Sequence, residues 1–177
     1  MIQRNEYEGL SITKEKMCEM LLCATHPEIM DYYLECKNSF YGCYLVSNLP
    51  SFPKLLPATM LIKTINHELN HWSALILLKD KCFYFDSFAK KIDLKLLQFL
   101  SCQYKSLVFN VKRIQHSESE CCGLFCLNFL LSVYDQESFV MFLNAFSSKR
   151  KKHNERIALN HVFNLYYSNN RLKIKST

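Results

Sequence analysis

Three short apolar runs follow one another between residues 58 and 88: ATMLIKTI (58–65), HWSALILLK (71–79) and KCFYFDSF (81–88). Runs of this length, rich in β-branched and aromatic residues, are strand-like, and Asp80-Lys81 places a hairpin turn between the last two. This block constrains the fold most, because the sequence on either side of it has a helical period. DLKLLQFLSCQY (93–104) carries Leu94, Leu97 and Leu100 at helical spacing, and SLVFNVKRI (106–114) alternates as a further strand. CGLFCLNFLLSVY (122–134) is apolar around most of its circumference, as expected of a helix buried in a core. ESFVMFLNAF and ERIALNHVFNLYYS add two helices after it. Ahead of the strands, ITKEKMCEMLLCATH (12–26) and PEIMDYYLEC (27–36) read as helices, and NLPSFPKLLP (48–57) is an irregular connection with three prolines. Helices, central strands, then helices predict an α+β fold, one domain over residues 1–177, with a mixed or antiparallel sheet flanked by helices.

Composition removes several classes. Gly 3 and Pro 4 in 177 residues exclude collagenous, linker-like and disordered chains. No apolar run reaches the roughly 18 residues needed to cross a bilayer. The opening MIQRNEYEGL lacks the apolar stretch of a secretory signal, so the expectation is a protein that is neither secreted nor membrane-bound. Nine cysteines, an odd number in a chain of this length, are expected to be mostly reduced thiols in cytosol or nucleus.

The net charge of +6 is unevenly placed, with eight Lys and Arg against one acid in the segment 149–177. Lys149, Arg150, Lys151 and Lys152 head that segment. A solvated tail or helix face accounts for such a cluster; its functional reading is a polyanion contact, nucleic acid before membrane surface.

NHELNHW (66–72) contains H-E-x-x-H in His67, Glu68 and His71, the pattern of helix-borne zinc proteases. Zinc ligation needs both histidines on one helical face. Here Asn66 and Asn70 bracket the motif and strand-like runs flank it, so a loop running into a strand is expected, with no metal. Cysteine ligation has no C-x-x-C pair to support it.

A different constellation involves the second of these histidines. His71-Trp72 begins one strand-like run, Asp86 ends the next, Gln115 ends a third, and Cys122-Gly123 opens the buried helix. These types suit cysteine-nucleophile hydrolysis: a thiolate attacks, an imidazole holds and returns the proton, a carboxylate orients the imidazole, and an amide steadies the oxyanion. A cysteine at a helix N-terminus is favoured as thiolate by the dipole and the free N–H groups, and Gly123 lets substrate approach the backbone. Cys122 is preferred to Cys121 as nucleophile, because Gly123 follows it and its spacing from Gln115 fits.

The ordered set His71-Trp72, Asp86, Gln115 and Cys122-Gly123 resembles the adenovirus-type maturation proteases (adenain) and their distant relatives, the SUMO-type ubiquitin-like-protein proteases. CGLFC-x-x-FL (122–130) and YFDSF are the closer matches to adenain, and the likeness runs from about residue 40 to 135. It implies a papain-like (adenain-like) cysteine protease fold and activity. Cys122 would be nucleophile, His71 base and acid, and Asp86 the orienting group; Gln115 with the Cys122 N–H would form the oxyanion hole, and Trp72 would pack beside the cleft. It further implies cleavage after glycine in viral structural or core precursors, no cofactor required for the chemistry, DNA and a short viral peptide as activating partners, and action as a monomer. The corresponding setting is the virion and infected cell, in nucleus or cytoplasmic virus factory. Adenain links its peptide through a cysteine, and around Cys102 this sequence departs from that pattern. Deconjugation of ubiquitin-like proteins, or a catalytically silent protein binding DNA or virion components, are the alternative functions.

Overall fold

The computed structural model of the chain describes residues 39–66 and 69–174. The two helices expected before residue 37, and His67 and Glu68, lie outside the described residues. Five strands appear in order: β1 (Phe40–Leu45), β2 (Ala58–Asn66), β3 (Leu69–Leu77), β4 (Lys81–Phe85) and β5 (Ser106–Phe109). Helix α1 (Leu94–Ser101) separates β4 from β5, and α2 (Cys122–Ser132), α3 (Gln136–Asn144) and α4 (Lys151–Ile174) follow. The strands form one mixed sheet in chain order. β2, β3 and β4 are antiparallel to their neighbours among themselves, while β1 joins β2, and β5 joins β4, in parallel. The architecture is α+β, as the change of period predicts.

Both faces of the sheet are covered, which explains why HWSALILLK reads as a continuous apolar run rather than a strict alternation. Trp72, Ala74, Ile76, Phe83 and Phe85 face α2 and its neighbours; Met60, Ile62, Leu75, Leu77, Cys82 and Tyr84 face Leu96 and Leu100 of α1 and Tyr104. Successive residues of one strand therefore enter different cores. A cluster of phenylalanines fixes α2 and α3 to the sheet: Phe85 stacks on Phe129 at 5.0 Å and meets Phe142 edge-on at 5.2 Å. Every residue of α2 from Cys122 to Leu130 is buried, so the all-round apolar pattern is that of a central helix. Its one buried amide, Asn128, is satisfied by Ala158 O, Ser132 Oγ and His161 Nδ1.

The structure departs from the sequence expectations at four places. β1, FYGCYL, has no anticipated counterpart; it lies at the sheet edge with Tyr41 and Leu45 exposed and the rest half-buried, and so lacks a clean alternation. The strand expected over 106–114 stops at Phe109, because Asn110 turns its side chain to the main chain of Asp86 instead of continuing the ladder. Gln115 therefore lies in an irregular stretch rather than at a strand end. Finally, β3 begins at Leu69, two residues before His71, and pairs as a hairpin with β2 through Asn66 and Leu69. His71 is thus a strand residue, and Leu69 to His71 are not helical, whereas H-E-x-x-H requires its second histidine on a helix.

Candidate active site

β3 and β4 pair from Leu77 with Cys82 up to Ala74 with Phe85, and the chains separate beyond that point. His71 and Asp86 lie past the end of this ladder on the same face, close enough for a diagonal cross-strand contact. His71 Nε2 and Asp86 Oδ2 are 2.9 Å apart, and both residues are buried. Asp86 is itself held on several sides. Its Oδ1 accepts the Phe88 N–H at 2.7 Å, and its backbone N–H and C=O bond the Asn110 side chain at 2.9 and 2.7 Å. Asn110 thereby takes the place of a partner strand. The Tyr84 hydroxyl is also close enough to Asp86 and Ser73 to be affected by both. Burial first, and then the charge of Asp86, holds that hydroxyl far above its ordinary range, so it remains a neutral donor.

With Nε2 engaged by Asp86, Nδ1 is the imidazole nitrogen left for proton exchange. Cys122, the first residue of α2, is near enough for its side chain to help raise the imidazole's pKa, while its Sγ donates to Glu120 O at 3.8 Å. Burial works to lower the His71 pKa, but it is outweighed by the hydrogen bond to Asp86, by interaction with the Cys122 side chain and by the charge of Asp86, which bring it up to about 9. The start of α2 has no side-chain cap from Cys121, so first-turn N–H groups remain to face the site. Cys121 and Cys126 are set apart from Cys122. Burial raises the Cys121 thiol, and Cys126 is wholly enclosed, its thiol donating to Trp72 O at 3.4 Å and pushed up by the same cause.

Gln115 is gathered into the same cluster but is spoken for. Ser87 Oγ donates to its Oε1 at 2.5 Å, and its Nε2 donates to Ser119 O at 2.7 Å and Ser119 Oγ at 3.3 Å. Because a carbonyl only accepts, the Ser119 contact fixes which end of the amide is nitrogen. The side chain has no solvent exposure, so an oxyanion role for Gln115 requires these bonds to Ser119 to be exchanged. Trp72 is not a wall of an open cleft: strand alternation sends it to the face opposite His71, where it is 4% exposed in the core under Lys63. Gly123 is buried in the first turn of α2. Lys149 and Arg150 lie just before α4 and Lys151 and Lys152 in its first turn, so half of the basic cluster is helix rather than tail.

Sequence reading did not single out Asn110, Ser87, Tyr84, Phe88 or Ser119. Ser87 and Phe88 follow Asp86 directly, and that adjacency was the available signal; Asn110 acts across 24 residues of sequence and left none. Asn110→Ala strands the buried N–H of Asp86 and takes one of the two donors from its C=O, which keeps the Ala89 N–H. It is expected to cost about 2 kcal/mol of stability in urea unfolding, and to lower peptide hydrolysis about tenfold by loosening the acid.

Among solved structures, the chain is similar to the ASFV pS273R protease, with a TM-score of 0.52 at 10% identity. The match covers 80% of this chain and 65% of that one, so this chain spans less than two thirds of its neighbour's length. The likeness is one of fold. No family model matches the chain, and no curated protein matches it in sequence.

Proposed function

We propose that the chain is a cysteine endopeptidase of the adenain-like type, cleaving after glycine in Gly-Gly-x or Gly-x contexts of viral structural or core precursors. The observation that carries this reading is the buried 2.9 Å His71–Asp86 pair, with Cys122 at the start of a buried helix near enough to shift the imidazole's pKa. The fold likeness to a viral protease supports it. Cys122 sulfur attacks the scissile carbonyl carbon, with its proton held on His71 Nδ1. As the C–N bond breaks, His71 passes that proton to the leaving amine, and water then hydrolyses the thioester with His71 as base. Asp86 holds the ring and stabilises its positive form. First-turn N–H groups of α2, joined by Gln115 once Ser119 releases it, stabilise the oxyanion.

The test is a panel of Gly-Gly-x and Gly-x peptides incubated with the full chain and read by mass spectrometry, beside folded ubiquitin-like substrates. Cleavage of free peptides after glycine supports maturation; activity confined to the folded substrates moves the assignment to deconjugation. If neither is cut and iodoacetamide leaves Cys122 unmodified, a silent binding protein is the remaining reading.

DNA is proposed as a partner on a separate observation. Cations at a helix N-terminus oppose the macrodipole, by about 0.3–1 kcal/mol each. Lys151 and Lys152 occupy that position in α4, with no acid in the first turn. A bound polyanion would offset the cost. Duplex affinity is expected to fall steeply with salt, and neutralising Lys149, Arg150, Lys151 and Lys152 to flatten that slope by about 3–4. An unchanged slope would remove this segment from the contact. A short activating viral peptide, as adenain uses, is proposed on resemblance alone.

A further inference from the structure

The turn that follows Asp86 gathers charge beside the imidazole. Ala89 N–H donates to Asp86 O at 2.9 Å, and Ala89 takes a φ of 53°, a left-handed conformation that costs a side-chained residue about 1–2 kcal/mol. The turn holds Phe88 so that its half-buried ring lies 5.2 Å from the His71 ring. Two cations bear on that one phenylalanine. The Arg113 guanidinium is 5.1 Å from its centroid and the Lys90 ammonium 5.5 Å. Arg113 is further tied down by its Nε, which donates to Gln115 O at 3.1 Å.

A single ring gives each cation a modest attraction, about 0.5–1 kcal/mol at an exposed site, while the two positive charges repel each other. Among the described residues, the ion pairs are His71 with Asp86 and His116 with Glu118, so neither Arg113 nor Lys90 has a carboxylate within reach there. Lys112, in the same stretch, differs: its ammonium is spent on Leu143 O and Phe146 O. Arg113 and Lys90 are thus placed to receive an anion that comes from outside.

We propose that Phe88, Arg113 and Lys90 form a substrate subsite for an acidic side chain, Asp or Glu. This rests on the protease reading. An extended peptide advances about 3.3 Å per residue. The cations reach the imidazole through one ring, so the acidic residue lies within about three residues of the scissile bond. Their place one aromatic ring away from His71 favours a peptide carboxylate over a nucleic-acid phosphate, since what they hold is set near the reacting bond. Phe88 supplies the flat apolar floor and the two cations the charge.

The experiment uses Gly-Gly-x peptides carrying Asp, Asn or Lys singly at each of the three positions on either side of the scissile bond. With the wild-type chain, Asp is expected to exceed Asn in kcat/KM by about five- to tenfold at one position, with Lys below Asn there. The Asp preference should shrink as salt rises. In Lys90→Glu, a change at an exposed side chain, the Asp-to-Asn ratio should fall toward one and Lys should gain. Cleavage that is indifferent to Asp, Asn and Lys at every position overturns the subsite and leaves the protease reading standing. Unchanged peptide ratios in Lys90→Glu, with weakened binding of a duplex oligonucleotide, overturn it in favour of a nucleic-acid contact. Failure to cut any peptide in the panel sinks the protease reading, and the subsite with it.

Discussion

Cys122→Ala is expected to reduce peptide hydrolysis by at least about 10⁴-fold while the chain stays folded. No other described thiol is placed to take over. Cys126, one turn on, is wholly buried and bonded to the Trp72 carbonyl, and the burial of Cys121 raises its thiol away from the reactive form. Cys121→Ala should therefore keep most of the activity. The comparison is made by initial rates on one Gly-Gly-x peptide, with far-UV circular dichroism to confirm the fold. Full loss in Cys121→Ala alongside substantial activity in Cys122→Ala would reverse the assignment.

The second large effect is expected from Asp86→Asn, at about 10³–10⁴-fold in kcat. The Phe88 N–H would keep an amide oxygen in the place of Oδ1, which turns the amide NH₂ toward His71 Nε2. That donor drives the ring proton to Nδ1, the nitrogen that has to take the thiol proton. The pH behaviour separates this from simple misfolding. His71 sits at about 9 in the folded chain against 6.5 as an ordinary histidine, so folding favours its protonated form. The stability this contributes is complete below about pH 6.5 and is lost as pH rises through about 9. Activity carried by a thiolate–imidazolium pair should fall on its basic side near the same value. Without the carboxylate, burial dominates and the imidazole moves down, carrying the basic limb down by about 1–3 units. Urea midpoints at pH 6 and pH 9 should also differ less in the variant than in the wild type. An unmoved basic limb would show that another group governs it.

How much of this was legible beforehand depends on the range over which each feature is encoded. The period change from helix to strand and back, the turn at Asp80-Lys81, and the buried character of α2 are local patterns, and the fold follows them closely. The approach of His71 to Asp86 was also legible, because a hairpin with a marked turn brings two known positions to its open end. β1 lies at a sheet edge without a clean alternation, and β5 ends early because a side chain, Asn110, satisfies backbone groups 24 residues away. Neither depends on residues close in sequence.

By itself, then, the sequence determined which chemical groups are present, their order, and the elements that carry them: Cys122 on a helix start, His71 in one strand and Asp86 just past the end of the next. Only the tertiary structure decided which groups are free to act. It turned Trp72 into the core, because strand neighbours must enter opposite faces, and it enclosed Gln115 between Ser87 and Ser119. It also drew Arg113 and Lys90, 23 residues apart in sequence, onto the ring beside the imidazole. Side-chain hydrogen bonds and ring contacts of this kind depend on distances set by the packing of whole elements, and no residue's local pattern encodes them.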